Sequence, residues 1–209
     1  MWYWVKTPKL VKKIFHNQIW DIPSNQPFVY LTFDDGPTKG LTHKILEVLR
    51  NYEVKATFFC VGKNVQKHPK EYEKIISHGH SIGNHTMTHP MGWWNSKKKY
   101  LNDVKQAEEI INSNLFRPPY GKINIKSNKI LQKKYKIIMW DVVGGDFDPN
   151  CSKEQLIYNI TNNVEKGSIV VLHDNQMVKN KILKALPLII EGVQKKGFKL
   201  KAIPFTPLR

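Results

Sequence analysis

Residues 28–37 read Phe-Val-Tyr-Leu-Thr-Phe-Asp-Asp-Gly-Pro, an apolar run that ends on two adjacent carboxylates and then breaks. Gly36 and Pro37 stop a strand. Successive strand side chains point to opposite faces, so Asp34 and Asp35 reach one pocket only where the chain turns between them. One carboxylate can then hold a cation while the other accepts a proton. Taken alone, Asp-Asp-Gly-Pro reads as an ordinary solvated turn. Its neighbours along the chain change that reading.

Downstream, His85-Thr86-Met87-Thr88-His89-Pro90 sets two imidazoles four positions apart. That spacing predicts one face of a helical turn, with both rings on one cation. Catalytic zinc takes three protein ligands and keeps a position open for water. Asp35, His85 and His89 can supply such a set.

Working outward, strand-like apolar runs recur at 28–33, 56–61, 81–84, near Phe116, and at 137–140, 169–172 and 198–203. Helical periods separate most of them: Leu41, Ile45, Val48, Leu49 and Tyr52; Leu156, Ile157, Ile160 and Val164; Leu183, Leu186, Ile190 and Val193. Pro187 interrupts the last pattern and suits a helix start better than a helix interior. Strands alternating with helices imply parallel pairing by right-handed crossovers, hence an α/β barrel. The carboxylate pair and the histidines fall just after strands, where barrels assemble their sites.

At 209 residues and 41% hydrophobic, the chain suits one domain with a substantial core. Residues 26–209 are expected to form the catalytic domain, and 1–25 a lead segment packed on it. The net charge of +16 raises a nucleic-acid partner. Of 33 basic residues, however, only Arg50, Arg117 and Arg209 are arginines, whereas base readout favours the bidentate guanidinium. Scattered lysines read instead as solvated helix faces, which still attract an anionic membrane or cell wall through a salt-screened field. Cys60 and Cys151 form no paired motif, and Cys60 reads as core. Trp2-Tyr3-Trp4-Val5 is broken by Lys6, Lys9, Lys12 and Lys13 before a signal peptide or membrane span can form. A cytoplasmic location is the default, the aromatics are expected to pack across the domain's end, and the oligomeric state stays open.

Three more segments follow in order: Phe116-Arg117-Pro118-Pro119-Tyr120-Gly121; Trp140-Asp141 leading to Asp146-Phe147-Asp148-Pro149; and Ile169-Val170-Val171-Leu172-His173-Asp174. The five segments together resemble the polysaccharide deacetylases, which share the NodB homology domain and form family 4 of the carbohydrate esterases. The resemblance implies an irregular (β/α) barrel of about seven parallel strands, often working at the cell envelope.

It also implies roles. Asp35, His85 and His89 would hold a divalent metal, zinc first, with cobalt, manganese or nickel accepted by the same donors. Asp34 would be the base, Arg117 would orient it, and the backbone N–H of Tyr120 would stabilise the oxyanion. His173 would be the acid that protonates the departing amine, with Asp146 as its carboxylate partner. The fourth segment departs from the family pattern by carrying Phe147 where a Trp is usual, which leaves Asp141 and Asp148 as alternatives to Asp146. The remaining histidines, 16, 43, 68, 78 and 80, read as surface or structural. Trp93 and Trp94 suit either a sugar-stacking face or the core.

The leading expectation is a metal-dependent hydrolase that removes N-acetyl groups from N-acetylglucosamine-type residues of peptidoglycan or a chitin-like saccharide. An O-acetyl xylan esterase would use the same site. A catalytically silent saccharide-binding protein is disfavoured by the complete set of residues, and a nucleic-acid-binding protein is the weakest alternative.

Overall fold

The computed structural model describes residues 3–208. Eight strands, β1 (Phe28–Asp34), β2 (Thr57–Cys60), β3 (Ser81–Asn84), β4 (Leu115–Phe116), β5 (Lys136–Ile137), β6 (Val142–Val143), β7 (Ile169–His173) and β8 (Lys199–Lys201), form one sheet in the order β5-β4-β3-β2-β1-β7-β6. Every pairing is parallel. β8 pairs with Phe28–Tyr30 while β2 pairs with Thr32–Asp34, so β8 and β2 share one flank of β1 end to end. Seven positions therefore run across a curled half-barrel, as expected. The sequence reading missed β6, whose two residues are too few to show a period.

The helices are α1 (Lys9–Ile14), α2 (Thr42–Asn51), α3 (Gly62–Lys67), α4 (Pro69–Ser77), α5 (Lys97–Glu108), α6 (Ile125–Leu131), α7 (Lys153–Thr161) and α8 (Lys179–Lys195). The expected break at Pro187 does not occur: α8 runs through it. Buried Ile182, Leu186, Ile189, Ile190 and Val193 hold it, at about 1.5–3 kcal/mol each, against a cost of about 3 kcal/mol for an interior proline.

Strand alternation divides the core. Val29, Leu31 and Phe33 of β1, with Phe58, Cys60, Val170 and Leu172, pack outward on the helices. The opposite faces contribute Tyr30, Phe59, Leu115, Ile138 and Ile169 to the barrel interior. Thr32 and Asp34 share the face of Tyr30, and His173 shares that of Ile169, so the pleat itself aims the candidate side chains Asp34 and His173 inward. Cys60 and Cys151 are free and buried.

The segment before β1 bridges the sheet's two open edges. On the β5 side, Ile19 N donates to Ile137 O (2.8 Å) and Met139 N to Ile19 O (2.7 Å). On the β6 side, Thr7 N donates to Asp141 O and Val143 N to Val5 O, both at 2.8 Å. Backbone groups that would otherwise template aggregation are thereby paired. Tyr3 packs on Phe147 (5.1 Å between centroids), Trp4 is 46% exposed, and Trp2 lies outside the described residues. Among the described residues, no helix is long and apolar enough to cross a membrane.

Candidate metal and catalytic site

β1 and β7 set the register of the site by pairing Asp34 with His173. Asp34 is buried, and Arg117, wholly buried at the end of β4, donates from Nη1 to Asp34 Oδ1 (2.6 Å) and Thr32 Oγ1 (2.7 Å). Its Nε and Nη2 donate to the carbonyls of Ile138 (3.2 Å) and Met139 (2.8 Å), and the guanidinium lies 4.1 Å above the Phe59 ring. A cation sealed from water is tolerable only with such a complement. Burial lowers the Arg117 pKa, and Asp34 pulls the other way.

Asp35 leaves the strand at φ 77°, which brings its carboxylate back beside that of Asp34. Gly36 follows because a Cβ there would stand 2.3 Å from Asp174 Oδ2. Asp35 Oδ1 faces His89 Nε2 (3.1 Å) and His85 Nε2 (3.7 Å), while Oδ2 accepts from Asn175 Nδ2 (2.7 Å) and the main-chain oxygen accepts from Asn64 Nδ2 (2.7 Å). Burial raises the Asp35 pKa, but the His89 hydrogen bond and three imidazoles outweigh it, leaving the carboxyl well below the usual range.

His85 donates from Nδ1 to the Arg117 carbonyl (2.7 Å), which turns the Nε2 lone pair toward Asp35. Burial lowers its pKa to about 4, against the pull of Asp34 and Asp35, so the ring is neutral and ready to ligate at pH 7. The three candidate ligand atoms lie within 4.8 Å of one another. Two ligands on tetrahedral zinc stand about 3.3 Å apart. The donor set, tautomer and spacing fit a divalent cation.

The expected helical turn between the two histidines is absent. Thr86 (φ 70°) and His89 (φ 59°) are left-handed, and the segment is an irregular loop. Asp103 of α5 shapes it by accepting from Met87 N (2.7 Å), Thr88 N (3.0 Å) and Thr88 Oγ1 (2.6 Å), and Thr86 Oγ1 accepts from His89 N (3.0 Å). The two imidazoles converge by loop closure, with centroids 5.0 Å apart.

On the opposite wall, Asp146 accepts from His173 N (2.7 Å) and bonds Nδ1 (2.9 Å). Burial alone would lower the His173 pKa, but Asp146, with Asp35 and Asp34 beyond it, raises it to about 9. The other candidates serve elsewhere. Asp141 binds Lys6 (2.7 Å), Lys12 (2.6 Å) and Ser168 (2.5 Å), and Asp148 accepts from Asn150 N (3.0 Å). Phe147 lies edge-on to His173 at 5.3 Å.

Tyr120 also has a left-handed backbone, φ 60°. The turn's backbone bonds come from Gly121 N to Pro118 O (3.0 Å) and Lys122 N to Pro119 O (3.1 Å), so neither uses the Tyr120 amide. Its ring meets His89 edge-on at 4.8 Å. Of the five non-glycine residues described with positive φ, four lie here: Asp35, Thr86, His89 and Tyr120. Backbone strain concentrates where geometry serves function.

Known proteins resemble this chain in sequence and in fold. A family model described as polysaccharide deacetylase matches residues 21–136. A peptidoglycan-N-acetylglucosamine deacetylase of Bacillus cereus is 32% identical over 191 residues, covering 88% of this chain and 90% of that protein. The chain belongs to the polysaccharide deacetylase family. A chitooligosaccharide deacetylase of Azorhizobium caulinodans is 29% identical, covering 88% of this chain and 96% of that one. The crystal structure of a peptidoglycan N-acetylglucosamine deacetylase, bound to a naphthyl N-hydroxybenzamide, superposes with a TM-score of 0.87 at 32% identity over 95% of each chain.

The sequence reading of this deacetylase missed Asn175, Asn64, Thr32 and Asp103, which orient the site by hydrogen bonds whose partners are remote in sequence. Trp93 and Trp94 are 57% and 82% exposed, which removes the core alternative. Gly92 N donates to Lys122 O (3.1 Å) and Trp93 Nε1 to Ile123 O (3.0 Å), stapling their loop to the one that carries Tyr120. His80 is buried and accepts from Ala56 N (3.1 Å), a structural role.

Proposed function

We propose that the protein hydrolyses the N-acetyl group of N-acetylglucosamine-type residues in peptidoglycan or a chitin-like saccharide. The observation that carries this reading is Asp34, fixed by buried Arg117, beside the Asp35/His85/His89 set, with Asp146-held His173 on the facing wall. The names of the relatives in B. cereus and A. caulinodans support the substrate class.

Asp35, His85 and His89 would hold a divalent cation, zinc in the first instance. Such a cation would supply Lewis acidity there, enough to lower the pKa of water toward about 7 and to polarise the acetyl carbonyl. Asp34 takes the proton of the attacking water. Arg117 occupies Oδ1 of Asp34, and Oδ2 faces His85 Nε2 at 4.0 Å, so the free oxygen points into the site. The Tyr120 amide donates to the oxygen that gains charge as water adds to the acetyl carbon. His173 then delivers a proton to the sugar nitrogen as the C–N bond breaks, because an amide anion is too basic to leave unprotonated. Acetate and the free amine are the products. Mass spectrometry of a panel of N- and O-acetylated saccharides tests the reading. Loss of acetyl groups from nitrogen supports it, and exclusive O-deacetylation overturns it.

A further inference from the structure

The short helix α1 has its polarity reversed. A surface helix ordinarily turns apolar side chains inward and charges to water. Here Lys12 points inward, its ammonium held between Asp21 (2.5 Å) and Asp141 (2.6 Å), while Leu10 and Ile14 are 67% and 60% exposed. Leu10 and Ile14 stand i,i+4 on one face, flanked by exposed Lys9 and Lys13 at the same spacing, and Phe15 follows at 46% exposure. The patch is firmly mounted: Thr7 Oγ1 donates to Trp140 O (2.9 Å) and Trp20 Nε1 to Phe15 O (3.2 Å).

Its anchors lie where strands begin. Asp141 immediately precedes β6, and Asp21 pairs with Ser168, immediately before β7. The catalytic groups lie where strands end, His173 closing β7 about 16 Å further along. The lysine–aliphatic face and the active site thus occupy opposite ends of the strands.

We propose that the outward face of α1 docks the protein on an anionic lipid bilayer. Leu10, Ile14 and Phe15 enter the boundary between headgroups and acyl chains, and Lys9 and Lys13 engage lipid phosphates. A soluble polyanion would use the lysines and leave the aliphatic side chains in water, whereas a lipid interface satisfies both. The net charge of +16 adds long-range attraction. Docked in this way, the catalytic end faces away from the bilayer, toward polymer beyond it.

Co-sedimentation of the full chain with phosphatidylglycerol/phosphatidylcholine vesicles, and with pure phosphatidylcholine vesicles, tests the proposal. Binding is expected on the anionic vesicles, about tenfold or more weaker on the neutral ones, and reduced by salt. The Leu10→Ser/Ile14→Ser double variant is expected to lose about tenfold in vesicle affinity, with unfolding temperature and acetate release from a small soluble substrate unchanged. Lys9→Glu/Lys13→Glu is expected to lose about as much or more. Wild-type binding by the aliphatic variant, or no binding of the wild type to anionic vesicles, overturns the proposal. So does a dimer in sedimentation velocity that the aliphatic variant abolishes, which would assign the face to a second copy of the chain.

Discussion

Arg117 Nη1 meets Asp34 Oδ1 at 2.6 Å with the guanidinium wholly out of water, so the proposed base and its orienting cation form one buried unit. Removing one member leaves the other charged and unpaired, which costs about 3–5 kcal/mol. Arg117→Met is therefore expected to lower the denaturant midpoint as well as the rate. Asp34→Asn keeps the shape and is expected to retain metal affinity while losing on the order of 10²–10⁴-fold in kcat. Asp35→Ala should show the reverse emphasis, with metal affinity lost first. Equal metal loss in both aspartate variants, read by isothermal titration, would mean that their roles are misassigned.

As the proposed acid, His173 works only while protonated, and its pKa is raised to about 9 with Asp146 the largest upward influence. Activity is expected to hold through neutral pH and fall as pH rises through that pKa; a cation on Asp35 would offset the carboxylate's pull and move the fall somewhat lower. The same sign governs stability: the His173 contribution is full below about 6.5 and fades as pH approaches 9. Asp146→Asn should shift the alkaline limb of the kcat/KM profile to lower pH. An unmoved limb would remove Asp146 from this role. His173→Ala should harm amide substrates more than esters with good leaving groups.

The barrel was readable, and so were the candidate site histidines that the fold brings together, because strand-end motifs are local: Phe28–Asp34 announces a buried strand and places two carboxylates at its end. The His85–His89 loop was misread as helical because four-residue spacing is also what a left-handed loop pinned by Asp103 can close. Asp146 could not be separated from Asp141 in sequence, since only the fold shows that Lys6 and Lys12 claim Asp141. Asn175 was invisible for the same reason.

Asn175 links α8 to the metal set. Its Oδ1 accepts from Met177 N (3.1 Å) and Val178 N (3.4 Å), so its amide nitrogen must face Asp35 Oδ2, and Asp35 Oδ1 would be the oxygen left to hold the proposed cation. Asn175→Ala is expected to weaken metal binding about 10–100-fold in a competition titration. Unchanged affinity would show that Asp35 needs no such support.

Trp94 is 82% exposed on the loop stapled beside Tyr120, and a stacking role there would present its flat face to a sugar next to the reacting one. Trp94→Ala is expected to lower kcat/KM on oligosaccharides several-fold while sparing a small aryl acetate. Equal loss on both would deny it a part in substrate reach.

Turnover of an N-acetylglucosamine oligosaccharide by protein stripped of metal, followed by acetate release, bears most directly on the proposed chemistry. Activity should vanish in the stripped protein and return with one equivalent of a divalent cation. Undiminished acetate release from a sample verified to be metal-free would contradict the assignment of Asp35, His85 and His89, and with it the proposed reaction.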